Sequence, residues 1–258
     1  MEISLKGRSA LITGGSKGLG FAMASRFAAS GADVAILGRG KEAIEDAVKQ
    51  IKATAQGKII GVQCDVSKAA EITRAFGDVM SGLGKVDIVV NNAGATRAGP
   101  FEKLTDEILQ ADLEEKLFGA VRVTRLAWPQ MKERKWGRVI NVLAIGGKTP
   151  RANSAPTTVS RAAGLALTKV LAGEGAPFNI LVNALLVGFI NSDQHVQLAK
   201  KLGVPTEEFV AGRSKDIPMG RAGEAEEFAN IACFLASDKA SYIAGTGINV
   251  DGGHSPVW

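Results

Sequence analysis

Ser9-Ala10-Leu11-Ile12-Thr13-Gly14-Gly15-Ser16-Lys17-Gly18-Leu19-Gly20 is the stretch that decides the fold. Its first five residues form a short apolar run of strand character. From Gly18 the pattern turns helical, and Phe21, Ala24 and Phe27 fall within reach of one face. The glycine-rich turn between them permits a tight reversal and the close approach of a pyrophosphate to backbone N–H groups. The N-terminus of the helix that follows adds a favourable dipole. A glycine-rich turn alone is weak evidence; its place between a strand and a helix is the context that makes it a dinucleotide signature.

The same alternation continues along the chain. Further β-rich apolar runs are Asp33–Leu37, Ile59–Cys64, Val86–Val90, Arg138–Leu143, Ile180–Leu185 and Thr246–Val250. Most are separated by stretches of helical period, such as Lys41–Ala55, where Ile44, Val48 and Ile51 recur at spacings of four and three. Continuous apolar strands alternating with helices predict a parallel sheet covered on both faces. Right-handed crossovers then give a doubly wound, Rossmann-type α/β sheet of about seven strands. No linker, internal repeat or low-complexity tract interrupts it, so residues 1–258 read as a single domain. One stretch breaks the rhythm. Almost forty residues separate Leu185 from a helix starting near Glu224, with helical character over Gln194–Leu202 and a helix start at Thr206–Glu208. Ligands bind beyond the carboxyl ends of strands in such sheets, so residues 189–222 are expected to form a substrate lid.

Composition excludes several classes. The chain is 46% hydrophobic and 22% charged, which rules out a disordered or disulfide-scaffold protein. Lys plus Arg exceeds Asp plus Glu by 31 − 26 = 5; without clustering this favours anionic small molecules, not nucleic acid. Cys64 and Cys233 lie in apolar contexts and read as reduced core thiols, and with only His195 and His254 besides, no metal site is expected. No apolar run is long enough to cross a membrane and no targeting segment is visible, so a cytoplasmic location is expected.

Four further motifs follow the glycine-rich turn in order: Cys64-Asp65-Val66, Asn91-Asn92-Ala93-Gly94, Asn183 with Gly188, and Asn249-Val250-Asp251-Gly252-Gly253. Together they make the chain resemble, over nearly its whole length, a classical short-chain dehydrogenase/reductase close to the 3-oxoacyl-carrier-protein reductases. The resemblance implies that Gly14, Ser16, Gly18, Leu19 and Gly20 cradle a pyrophosphate and that Asp65 and Val66 border the adenine. It implies that Asn92, Ala93 and Gly94 line the adenosine ribose side, and that Gly188, Ile190 and Ser192 approach the nicotinamide. Val187 stands where the family usually has a proline. An acidic residue at the end of the second strand normally selects NAD; here the chain reads Leu37-Gly38-Arg39, and Lys17 lies in the turn. Two cations and no acid argue for a 2′-phosphate and hence NADP(H).

The resemblance fails at the catalytic positions. The family uses Asn, Ser, Tyr and Lys. By flanking pattern Lys116 falls at the Asn, Ala144 at the Ser, Thr157 at the Tyr and Arg161 at the Lys. The only tyrosine is Tyr242, with Thr246 at the lysine spacing. Ala144 cannot donate a hydrogen bond, and Thr157 is shorter and far less acidic than a phenol. Arg161 keeps a charge that can hold the cofactor ribose but does not titrate. Positioned acid–base help contributes roughly 10²–10⁴ in rate. The expectation is therefore an NADP(H)-dependent oxidoreductase of unknown carbonyl or alcohol substrate, with weak or no ordinary ketoreductase activity. The alternatives are a dinucleotide-binding protein without turnover, or a non-redox enzyme such as an isomerase or lyase. Lys116, Thr157 and Arg161 are the candidate catalytic residues, with Lys116 either a depressed ammonium at an apolar pocket or a surface lysine on a helix Thr105–Glu133. His195 is a weaker candidate acid. The resemblance also implies a homo-oligomer, a tetramer, with the helices Thr105–Glu133 and Pro156–Glu174 pairing across a two-fold axis. Leu165, Val170 and Leu171 supply apolar positions beyond what one sheet-facing stripe needs.

Overall fold

The computed structural model describes residues 2–191 and 199–258. Seven strands form one parallel sheet: β1 (Ser9–Thr13), β2 (Asp33–Gly38), β3 (Ile59–Gln63), β4 (Ile88–Asn91), β6 (Gly137–Ala144), β8 (Ile180–Val187) and β9 (Gly247–Val250), in the order β3-β2-β1-β4-β6-β8-β9. β5 (Ala98–Gly99) and β7 (Ala155–Pro156) pair antiparallel outside it, a small ladder that no sequence signal announces. The strands are apolar throughout because both faces are covered. All five residues of β1 are buried: Ala10 and Ile12 point to one core with Phe27, Ile36 and Phe228, and Leu11 to the other with Leu37, Val89, Val139 and Val182. Side-chain alternation along a strand thus feeds two separate helix layers.

Helices α1 (Gly18–Ala29) and α2 (Lys41–Lys52), with Ala225–Ala236, cover the first face; α3 (Ala69–Leu83) and α5 (Gly119–Arg134) cover the second. Helix Ala225–Ala236 starts where the sequence places it, because Glu224 and Glu227 form a reciprocal capping box. The expected helix Thr105–Glu133 is instead three pieces. α4 (Asp106–Leu113), capped by Thr105, runs into a π-helical turn over Glu114–Phe118 and then into α5. The π-turn continues the helix with no Pro, Gly or cap inside it, which is why the sequence reads as continuous; such bulges concentrate at functional sites. α6 (Thr157–Gly175) begins one residue after the expected Pro156.

The sheet order reverses between β1 and β4, the topological switch point of a doubly wound sheet. Strand ends are level across the other half, with Ala144 opposite Val187 and Val187 opposite Val250. The loops after β1, β2, β4, β6, β8 and β9 therefore all open onto one edge.

Candidate dinucleotide and active site

A cleft of about 440 Å³ lies along that edge. Its floor at the switch point is the glycine-rich turn. Gly14 and Gly18 have φ of +65° and +53°, a region that L-residues rarely adopt. Gly20 lies beneath the turn: a Cβ there would sit 2.1 Å from the Gly14 carbonyl oxygen, so only glycine lets α1 press against the turn. No side chain caps the first turn of α1. Its unpaired N–H groups and dipole face the cleft and suit a phosphate. The turn is held from behind by β4. Thr13 Oγ1 accepts from the amides of Asn92 and Ala93 at 2.9 and 3.0 Å, and Asn92 Nδ2 donates to the carbonyls of Thr13 and Gly14. The Asn92 side chain, expected beside a ribose, is thus a brace for the turn, although the residue does line the cleft.

Lys17 and Arg39 line the same end of the cleft, both exposed, and neither makes an ion pair among the described residues. The Arg39 backbone is fixed by Gln63, whose amide donates to its carbonyl at 2.8 Å. Asp65 and Val66 form the neighbouring wall. Burial works against ionisation of Asp65, but hydrogen bonds from the Ser67 amide and hydroxyl, with Lys68 and Arg39 nearby, hold it below the ordinary carboxylate range. Cys64 lines the cleft too, and burial pushes its thiol up to about 11, so it is not a nucleophile.

Ser16, Leu19, Ala93, Gly94, Gly188 and Ile190 complete the expected set around the cleft. Ser192 and His195 lie outside the described residues. The sequence reading missed Gly38, Ala95, Thr96, Val142 and Glu115 among the lining residues. Of these only Glu115 carries charge, and its neighbour Lys116 masked it. The glycine cradle, the uncapped helix end and the paired cations fit a phosphorylated dinucleotide.

Ala144, Thr157 and Arg161 converge at the other end, Ala144 at the end of β6 and the other two on the first turns of α6. Arg161 donates to the Val142 carbonyl at 2.9 Å, while its Nε is buried without a partner among the described residues. Burial holds its guanidinium below the usual range. The Thr157 hydroxyl is fully engaged: it donates to the Arg97 carbonyl at 2.7 Å and accepts from the Arg97 amide and from Lys116 Nζ at 2.8 and 2.9 Å. Tyr242 is fully exposed and lines no part of the cleft.

Lys116 is not a surface residue. Its side chain is 1% exposed, and Nζ pairs with Asp112 Oδ1 at 2.5 Å across one helical turn. Asp112 Oδ2 accepts from Ser160 at 2.6 Å, and Arg97 links Asp112 to Glu115. Lys116 does not itself line the cleft; it reaches it through Thr157. The π-turn sets this arrangement by placing Glu115 toward the cleft and Lys116 behind it. Burial pulls the ammonium down to about 8, aided by the charges of Arg161 and Arg97 and opposed by Asp112.

A doubly wound sheet with this cleft at its switch point defines a dinucleotide-binding α/β protein. A family model described as enoyl-(acyl carrier protein) reductase matches residues 14–255. The chain belongs to the short-chain dehydrogenase/reductase family. It is 35% identical to a 3-oxoacyl-[acyl-carrier-protein] reductase of Aquifex aeolicus, over 98% of this chain and 99% of that one. It is 36% identical to an acetoacetyl-CoA reductase of Shinella zoogloeoides, over 95% and 98%. Among solved structures it is similar to the L-sorbose reductase of Gluconobacter frateurii complexed with NADPH and L-sorbose, with a TM-score of 0.96 at 30% identity and full coverage of both chains.

Proposed function

We propose that the protein is an NADP(H)-binding oxidoreductase acting on a small carbonyl or alcohol substrate, with an active site that lacks the family's Ser, Tyr and Lys. The observation that carries the cofactor reading is the pair Lys17 and Arg39 in the cleft, with no carboxylate at the end of β2. Two unneutralised cations suit a 2′-phosphate and would leave a bare 2′-hydroxyl without its usual acceptor. The NADPH complex of the similar L-sorbose reductase supports it. NADPH held in this cleft would supply hydride chemistry for a substrate carbonyl.

The residues supply position and a proton. Arg161 holds the nicotinamide-side ribose. Thr157 passes its hydroxyl proton to the substrate oxygen and takes one from Lys116, which is left as a neutral amine beside Asp112. An ammonium that titrates near 8 is matched to that step at neutral pH. Lys116 is therefore a positioning and relay residue, not one that touches substrate. Of the segment 189–222 expected to form a lid, residues 192–198 lie outside the described residues; in the rest, Phe189, Ile217 and Ala222 form a small core with Phe209 and Val210, and Ile190 bridges Gly223.

One observation favours a second reading, a dinucleotide-binding protein without turnover. The Thr157 hydroxyl already donates to the Arg97 carbonyl and must swing away from it to reach a substrate. NADPH oxidation followed by absorbance over a panel of carbonyl compounds, with NADPH binding followed by fluorescence, separates the two. Binding with turnover is the expected result. Binding without turnover on any compound selects the second reading, and no binding contradicts both.

A further inference from the structure

Arg151 and His254 meet outside the residues that line the cleft, with Arg151 Nη2 3.3 Å from His254 Nε2. Arg151 lies in the loop between β6 and β7, and His254 follows β9. Because β6, β8 and β9 are neighbours with level carboxyl ends, the two loops that carry the pair leave the edge that holds the cleft, although neither residue lines the cleft itself. They lie over the half away from Lys17 and Arg39, which follow β1 and β2. Gly188 ties the pair to the cleft. It lines the cleft, and a Cβ on it would come within 2.4 Å of Asp251 Cβ, three residues before His254.

Among the described residues no carboxylate pairs with Arg151 or His254. Asp251, the acid nearest His254 in sequence, has both oxygens engaged by the amides of Gly253 and Ser255. Lys148 is turned inward onto the Gly247 carbonyl and Asn249. Among the described residues, His254 Nδ1 is buried with no partner. When Arg151 donates to Nε2, the ring proton must sit on that orphaned Nδ1. A carboxylate against both groups would accept from the guanidinium and from Nε2–H, and so move the proton off the buried nitrogen.

We propose that Arg151 and His254 form a subsite for the carboxylate of a small oxo acid, the charged end of the substrate. This rests on the reading of the cleft as an oxidoreductase site. Two donors match the two oxygens of a carboxylate, whereas a phosphate would leave further oxygens without partners.

The test uses the whole protein and the ring resonances of His254, assigned with a His195→Gln variant because His195 is the only other histidine. Titration with 4-oxopentanoate should shift the His254 resonances saturably. The uncharged 4-oxopentanamide should bind at least about fivefold more weakly, and Arg151→Gln should weaken 4-oxopentanoate binding by at least about fivefold. The same variant should keep NADPH affinity within about twofold of the parent. Equal affinity for acid and amide, indifference to Arg151→Gln, or no shift with 4-oxopentanoate would overturn the subsite. Tighter binding of inorganic phosphate than of 4-oxopentanoate would overturn the carboxylate assignment. Failure of the parent to bind NADPH would strike the oxidoreductase reading and leave the anion titration standing.

Discussion

Lys116 and Arg161 sit about the same reaction centre but are engaged differently, and they should fail differently. Lys116 reaches the cleft only through the Thr157 hydroxyl, whereas Arg161 lines it. Lys116→Met should abolish turnover and leave NADPH affinity within about twofold. Because it also leaves the buried Asp112 carboxylate with only Arg97 and Ser160 as partners, at a stability cost of up to about 3 kcal/mol, the Asp112→Asn/Lys116→Met double variant is the cleaner comparison. Arg161→Met should weaken NADPH binding by ~1–2 kcal/mol through lost charged hydrogen bonds. Full activity in the folded double variant would remove Lys116 from the mechanism. The ammonium also sets a pH dependence. Its pKa is pulled down to about 8, so it is charged and able to give a proton below that value and neutral above it. The rate of carbonyl reduction should fall as pH rises through about 8, and a rate flat from pH 7 to 9 would argue for another proton source. The presence of Lys116 at this position was legible in the sequence. Its burial was not: Asp112 lies one turn away, but Ser160 and Arg97 come from other elements whose convergence no local pattern encodes.

The element that does most to shape the cofactor end is the junction of β1 and α1. Gly20→Ala would drive a methyl into the Gly14 carbonyl. The expected outcome is a loss of roughly 1–3 kcal/mol in stability together with at least about tenfold in dinucleotide affinity. Gly77→Ala on α3 is the control: a Cβ there meets nothing within 4 Å, so the change should be neutral or stabilising, by up to about 1 kcal/mol. Thermal melts and NADPH titrations on both variants check this, and a Gly20→Ala protein that binds normally would contradict the packing argument. This junction was readable because its information is local: an apolar strand, glycines at fixed spacing and a helical period. The break at Glu114–Phe118 was not, since the π-turn continues the helix without a Pro, Gly or cap inside it to mark it, and only a phase shift in the apolar stripe separates the two segments.

At the scale of the molecule, strand order follows from strand–helix alternation and right-handed crossovers, which is why seven strands and two covered faces could be anticipated. The ends of the strands moved by one or two residues, and the β5–β7 ladder was invisible because two-residue strands carry no period. Of the apolar positions Leu165, Val170 and Leu171 expected on α6, the structure packs Leu165 and Leu171 against the core, so they are not surplus; Val170, together with Val159, is about half exposed. We expect a homotetramer using this helix; light scattering at micromolar concentration should give four times the mass of the chain, and a monomer would rule it out. A cleft built for a 2′-phosphorylated dinucleotide should discriminate between the two nicotinamide cofactors. Fluorescence titration of the parent protein with NADPH and NADH should show NADPH tighter by at least about tenfold, from charge-assisted contacts at Lys17 and Arg39. Arg39→Asp should erase or reverse that preference, and equal affinities for the two cofactors in the parent protein would contradict the account.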